Sequence, residues 1–401
     1  MSFVSFILIG FILLPKVGFL DLGVFLLLIY LFTLLVVSRN VDNYWLDKGV
    51  LFCVFLWFLS FILALFSYLY HEQISTQILF KPIRQIIILT SVYLIVCYHR
   101  FSVDEVLRII YVAAFVNALV IIIQFATGIF IPGSQGDFLL NPNFNREINM
   151  AWRKPGLFAG YPHSALLSAF GSVIGLYFMR KASGIKEIVI YFITFLSLFL
   201  SSRTGLMLGF FGILILLPYY LKYRISNTAY FITLIASIII VMKVAINNIP
   251  LVQVTFDQMF EVFINIAQGK GVSSSSTDDL MSSYAFPIEH LSTFFFGNGY
   301  PHHADNYANV DSGVQISFFA GGFFHLLIVH LVYFYMWYRS VKCFKFGSSI
   351  FVLINLLYFF VFVANFKGGF LFSRGPSDAL LLLFLSCFFI RERSNLNKDF
   401  S

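Results

Sequence analysis

Charged residues are scarce in this chain. Asp, Glu, Lys and Arg make up 11% of its 401 residues, while 59% are hydrophobic. That balance leaves too little polar surface for the two or three soluble domains this length would otherwise suggest. Strict apolar/polar alternation is missing as well, which excludes a transmembrane β-barrel. Cysteine is nearly absent. Cys53, Cys97, Cys343 and Cys387 fall inside or beside apolar runs without metal-ligand spacing, so neither a disulfide framework nor a zinc site is indicated and inert buried thiols are expected. No basic residue precedes the apolar run Phe3–Leu14, which speaks for a retained first helix rather than a cleaved signal peptide. Basic residues do not cluster either. The net charge is +7, but the cations stand singly between hydrophobic runs, so a nucleic-acid partner is not expected.

What the chain does contain is a succession of apolar runs of about 20 residues, the length that crosses a hydrocarbon core about 30 Å thick. Lipid offers no partner for backbone amides, so each run must be helical, and the fold class is an all-α polytopic transmembrane bundle. Helices are predicted near 2–14, 18–37, 49–70, 85–99, 106–127, 162–180, 186–201, 204–221, 227–246, 312–338, 348–366 and 377–391, about twelve in all. An even number puts both termini on one side. On that side fall short basic turns carrying Arg39, Lys48, Arg100, Arg180, Lys181, Lys186, Lys222, Arg224, Arg339, Lys342, Lys345, Arg391, Arg393 and Lys398, so the termini are expected to be cytoplasmic.

The organisation that follows is a first set of nine helices over 1–246 with a smaller outer loop at 128–161, a large outer segment at 247–311, and three helices with a short tail over 312–401. Two outer connections this long are expected to be functional. The second opens on LVQVTFDQMFEVFINIAQ, where Val252, Phe256, Met259, Phe260, Phe263 and Ala267 share one helical face and Asp257, Glu261 and Asn265 the other. An amphipathic helix on the membrane is predicted there. GKGVSSSS, 269–276, reads as a hinge, and Thr277 or Asp278 as the cap of a second short helix running towards Leu291. The halves of the chain show no convincing repeat, which weighs against a transporter.

Cations on the outer side need another explanation than topology. They are Lys81, Arg84, Arg146, Arg153, Lys154, Arg203, Lys367 and Arg374. Arg203 lies in SSRTG, a tight connection between two apolar runs, where a permanent charge either snorkels to headgroups or binds an anion. Arg153 and Lys154 precede the turn residues Pro155 and Gly156. Lys367 and Arg374 bracket NFKGGFLFSRGPSD. Converging cations of this kind are what a bound phosphate or pyrophosphate requires.

Reactive groups are densest over 294–322, FFFGNGYPHHADNYANVDSGVQISFFAGG. His302 and His303 stand beside Asp305, Asn306 and Asp311 in a loop that runs into a hydrophobic span. A histidine exchanges protons near neutral pH and a carboxylate orients its ring, so one of the two is the candidate acid–base group. HHADN lacks the i, i+4 pairing of a helical zinc site, and no metal is expected. His163, after the Tyr161–Pro162 turn at a helix entrance, is a weaker candidate. His71, His99, His290, His325 and His330 stand alone and read as structural.

Three segments together, SSRTGL at 201–206, RKPGLFAGYPHSA at 153–165 and FGNGYPHHADNYANVDSGVQISFFAGG at 296–322, resemble the bacterial O-antigen polymerase and O-antigen ligase superfamily, with the polymerases the nearer likeness. The resemblance spans most of the chain in architecture and rests on the order and spacing of these short motifs. It implies an integral-membrane type C glycosyltransferase that acts on undecaprenyl-pyrophosphate-linked oligosaccharide at the periplasmic face of the bacterial inner membrane. A chain-length regulator protein and membrane lipid are the further partners implied, with no cofactor. Arg203 and Arg153 match arginines that grip the pyrophosphate. His303, three residues before Asn306, matches the histidine that acts on the acceptor. Family members often carry an Arg on the helix before G-x-G, whereas 277–291 has none; the grip then falls to Lys154, Lys367 or Arg374.

The chemistry so implied is a metal-independent inverting transfer. Lipid pyrophosphate is already a good leaving group, so the protein must neutralise its developing charge and activate one sugar hydroxyl. Arg203 would serve the first task with Arg153, Lys154, Lys367 and Arg374, and His303 with Asp305 or Asp311 the second; His163, His302 and Asn306 would contact substrate. A ligase that moves the glycan to lipid A core or to protein needs the same donor site. A flippase would instead place charges along a pathway within several helices.

Overall fold

The computed structural model describes residues 2–17, 20–37, 47–70, 77–128, 154–158, 160–181, 184–221, 260–269, 271, 291–297, 312–372 and 374–399. Helices dominate: α1 Phe3–Leu13, α2 Leu22–Val37, α3 Lys48–Tyr70, α4 Gln77–His99, α5 Val103–Thr127, α6 Tyr161–Lys181, α7 Ile185–Phe199, α8 Arg203–Leu221, α9 Glu261–Ala267, α10 Leu291–Phe296, α11 Gly313–Val341, α12 Ser349–Asn365 and α13 Pro376–Asp399. The one β pairing among the described residues is a two-residue antiparallel ladder, β1 Lys16–Val17 with β2 Leu20–Asp21. Among the described residues five helices are long and apolar enough to cross a membrane: α3, α4 from Leu79, α5, α6 to Met179, and α11. The protein is therefore an all-α membrane-spanning chain. Large apolar side chains left exposed on α2, α3 and α11, among them Phe32, Phe55, Phe66 and Phe334, suit lipid rather than water.

Eleven of the twelve predicted runs coincide with helices, and the remaining one, 227–246, lies outside the described residues. Two helices outrun their predicted bounds by eight residues: α13 continues to Asp399 rather than 391, and α4 begins at Gln77 rather than near 85 and so takes Lys81, Pro82 and Arg84 into the helix. Charge argued for a late start, but Arg84 grips Asp378 of α13 with both terminal guanidinium nitrogens, Nη1 to Oδ1 at 3.2 Å and Nη2 to Oδ2 at 3.0 Å. A paired arginine is tolerated in an apolar helix where an isolated one is not. Of the amphipathic helix predicted from 251, the described part is α9, and the second short helix falls largely outside the described residues; α10 forms where it was expected to end.

Helix starts follow local chemistry. At α5 the Ser102 hydroxyl accepts from the Glu105 amide while the Glu105 carboxylate accepts from the Ser102 amide at 2.8 Å, a reciprocal capping box. At α13 Asp378 reaches back to the Gly375 amide at 3.1 Å, so one carboxylate both caps its helix and neutralises Arg84.

The chain divides into two compact units. One comprises Met1–Gly23, Leu107–Ser275 and Phe346–Leu357. Its centre is α6, where the spacing Gly171, Gly175 lets Thr194 of α7 and Tyr111 of α5 approach: a Cβ on Gly171 would lie 2.4 Å from Thr194 Cγ2 and one on Gly175 would lie 2.8 Å from the Tyr111 ring. Small residues four apart are how helices close up in a membrane, where no hydrophobic effect drives them together. Several buried hydroxyls of this unit are satisfied within or between helices, as where Ser197 donates to Ser168 Oγ at 2.8 Å and Thr194 to Ile190 O at 2.7 Å.

The other unit comprises Val24–Val106, Ser276–Lys345 and Tyr358–Ser401. Here α11 packs on α3 through the edge-on pair Trp57 and Tyr333, while the Tyr333 hydroxyl donates to Leu371 O. The four cysteines are free thiols; Cys53, Cys97 and Cys387 are buried.

Candidate functional site

In the first unit two of the sequence segments that carry cations meet. The amide of Lys154 donates to Leu200 O at 2.9 Å, which ties the turn after Arg153 to the connection that holds Ser201, Ser202 and Arg203. Two buried amide side chains of α5 hold the same turn. Gln124 makes a paired contact with the Gly156 peptide, accepting from its N–H and donating to its C=O, both at 2.9 Å. Asn117 Oδ1 accepts from the Leu157 amide at 2.9 Å, and the Ser164 hydroxyl donates to Pro155 O. Gly156 adopts φ +62° with no room for a side chain: a Cβ would fall 2.4 Å from Asn117 Oδ1. A left-handed residue pressed against a buried acceptor must be glycine.

The helices that leave these turns begin side by side. A Cβ on Gly205 of α8 would lie 2.5 Å from the Cβ of Ala165 of α6 and 2.8 Å from its backbone. The first turns of α6 and α8 are thus in contact, with His163 two residues from the junction on one helix and Arg203 two residues from it on the other. Both helix N-termini carry partial positive charge. Lys154 is 5% exposed, and burial pushes its ammonium below the usual lysine range. Arg203 forms an ion pair with Glu261 of α9, Nη1 to Oε2 at 2.5 Å, with the Arg203 side chain 11% exposed and that of Glu261 28%. Phe260, next to Glu261, packs its ring on Phe199 at 6.5 Å between centroids.

A second ion pair of this unit, Arg108 with Glu187 at 2.6 Å, stands beside Phe178, with the guanidinium 4.1 Å from the ring centroid. Fifteen residues of α6 separate Phe178 from His163, about 22 Å of helix. These two ion pairs of the described residues therefore lie at different levels of the unit.

In the second unit the glycines of the histidine-rich segment and its flanks make close contacts. Helix α11 is broken at Gly321 and Gly322, the latter at φ +74°, and the end of α10 fills the break: a Cβ on Gly322 would lie 2.1 Å from Phe295 O, and one on Gly297 would lie 2.5 Å from Phe319 O. At the other flank a Cβ on Gly313 would meet Asn365 Oδ1 at 2.2 Å and Gly368 O at 2.4 Å. Asn365 Oδ1 also accepts from the amides of Phe370 and Leu371, so it fixes the turn that carries Lys367. Arg374 immediately precedes the Gly375 cap of α13. His330 donates through Nδ1 to Leu326 O at 2.8 Å, and Asn365 Nδ2 lies 3.4 Å from its Nε2.

The structure thus brings Lys154, Arg203 and His163 to one end of the first unit, and it places Lys367 and Arg374 in the second. Arg153, His302, His303, Asp305, Asn306 and Asp311 lie outside the described residues. Of the outer cations named from sequence, Arg84 and Arg203 are each paired with a carboxylate, which the sequence reading did not anticipate. Asn117 and Gln124 were missed too. Two amides in the apolar run of α5 are a legible signal, because a buried amide in lipid requires a partner. Among the described residues no group of three or more His, Cys, Asp or Glu side chains is placed to hold a metal. No family model matches the chain, and no curated protein matches it.

Proposed function

We propose that this chain is a polysaccharide polymerase of the O-antigen type, with about twelve membrane helices and both termini in the cytoplasm. It transfers a growing glycan from undecaprenyl pyrophosphate to the non-reducing end of a new lipid-linked repeat unit at the periplasmic face of the bacterial inner membrane. The observation that carries this reading is the junction of the Lys154 turn with the Arg203 connection at two adjoining helix N-termini, a cationic end suited to a diphosphate. In the reaction a sugar hydroxyl of the new unit attacks the anomeric carbon, the bond from that carbon to the diphosphate oxygen breaks, and the configuration inverts. His303, oriented by Asp305 or Asp311, takes the hydroxyl proton. Arg203, with Arg153 and Lys154, stabilises the negative charge that passes to the departing undecaprenyl pyrophosphate. His302, His163 and Asn306 contact the glycan, and Lys367 and Arg374 supply further cations. No metal or cofactor takes part, and a chain-length regulator protein is a partner.

The test is incubation of the purified protein with a lipid-pyrophosphate repeat unit. A ladder of products supports polymerisation, and Arg203→Ala and His303→Ala should each abolish it while leaving membrane insertion intact. One transfer onto a different acceptor would make the protein a ligase. Absence of any reaction, or ladders from both variants, overturns the assignment.

A further inference from the structure

The site just described contains a negative charge. Glu261 is 2.5 Å from Arg203, and the neighbouring Phe260 is seated on Phe199, the last residue of α7 and four positions before Arg203. A guanidinium this far from water requires an anion at all times, and before substrate arrives the carboxylate serves. A diphosphate cannot share that nitrogen at full strength with Glu261, because two anions on one cation repel each other. We propose that Glu261 is the resident counter-ion of the donor site, exchanged for the substrate's diphosphate, and that it thereby determines which anions the site admits. This rests on the reading of Arg203 as a diphosphate ligand.

The physical consequence is a threshold. An incoming anion must displace a carboxylate held at hydrogen-bond distance and lift Phe260 from its contact. A monoanion gains from Arg203 only what Glu261 already supplies, so exchange gives it nothing. A diphosphate spreads more charge over more oxygens and can also reach the Lys154 turn and both helix N-termini, so the exchange runs in its favour. The membrane boundary abounds in monoanionic phosphodiester headgroups, and Glu261 keeps those from filling the site.

The experiment is a calorimetric titration of the full chain in nanodiscs of uncharged lipid, with inorganic pyrophosphate and with dimethyl phosphate as a monoanionic probe. The wild type should bind pyrophosphate and show no heat with dimethyl phosphate. Glu261→Gln should bind pyrophosphate about tenfold more tightly and gain measurable affinity for dimethyl phosphate. Glu261→Asp, which keeps the charge on a shorter arm, should fall between, and Phe260→Ala should shift affinity in the same direction as Glu261→Gln while the carboxylate is retained. Arg203→Ala should bind neither probe. Pyrophosphate binding that depends on Arg203 but is unchanged or weakened in Glu261→Gln overturns the counter-ion role and leaves the donor site standing. No pyrophosphate binding by the wild type overturns both.

Discussion

Replacing Gly156 by alanine should destabilise the first unit by about 2–5 kcal/mol, and the sum can be traced atom by atom. The backbone at φ +62° costs an L-residue about 1–2 kcal/mol. The new Cβ would sit 2.4 Å from Asn117 Oδ1, 3.0 Å from its Cγ and 2.9 Å from Ser164 Oγ. Asn117 must therefore withdraw, and the buried Leu157 amide loses its acceptor at about 1–3 kcal/mol. Two of the three nearest atoms belong to Asn117, so Asn117→Ala removes most of the clash while itself costing the Leu157 hydrogen bond. In that background Gly156→Ala should cost the backbone strain, about 1–2 kcal/mol, once the Ser164 hydroxyl has turned away from the new Cβ. The double-mutant cycle should then show a coupling of about 1–3 kcal/mol. Reversible unfolding of the full chain in mixed detergent micelles measures all four corners. Additive effects, or a Gly156→Ala protein as stable as the wild type, would refute the account of this turn.

Two further outcomes are expected. Asp378→Asn leaves Arg84 without its carboxylate and should cost about 3–5 kcal/mol, whereas Arg84→Met with Asp378→Leu should recover most of that loss because both charges leave together; a double variant as unstable as the single one would sink the pairing argument. Burial lowers the pKa of Lys154 from the ordinary 10.5, so the folded state binds fewer protons than the unfolded chain between the lowered value and 10.5. The Lys154 contribution to stability then rises with pH across that window while pyrophosphate affinity falls, and Lys154→Arg should remove the alkaline loss of affinity; identical pH profiles for the two proteins would contradict it.

Membrane character and the positions of most helices were legible because they depend on one strong signal, the length of apolar runs. Boundaries were legible where caps coincide with the edge of a run, as at Pro376. They failed at Gln77, where a tertiary partner overrides the local cost of charge: nothing near Arg84 in sequence announces Asp378, 294 residues away. The cation turns were legible as candidates because Pro155, Gly156 and Arg203 are costly residues for a membrane boundary. Their meeting was not, since it is made by a backbone hydrogen bond from Lys154 to Leu200 and by a contact between Gly205 and Ala165, neither of which leaves a distinctive residue pattern. The break in α11 lies between these cases. Gly321 and Gly322 invite one, but adjacent glycines also occur in straight membrane helices, and only the carbonyl of Phe295 beside Gly322 shows why a side chain cannot stand there.

Cations placed by backbone contacts and buried amides differ in consequence from cations on free loops. A lysine on a loop must lose side-chain freedom each time it meets an anion, which costs up to about 2 kcal/mol. The main chain at Lys154 is already fixed by Leu200, and the turn after it by Gln124 and Asn117. That main-chain ordering was completed when the unit folded, so an anion held at the turn, as proposed, would not have to order the backbone again. On the proposed reading, neutral amides suit this turn better than acids would. A carboxylate at position 117 or 124 could accept from the same backbone N–H groups, but it would add a buried negative charge beside the cations and weaken their hold on any anion. Glu261 differs because it belongs to α9 rather than to the framework of α5, α6 and α8, where an exchangeable charge can leave without unfolding the turn it serves.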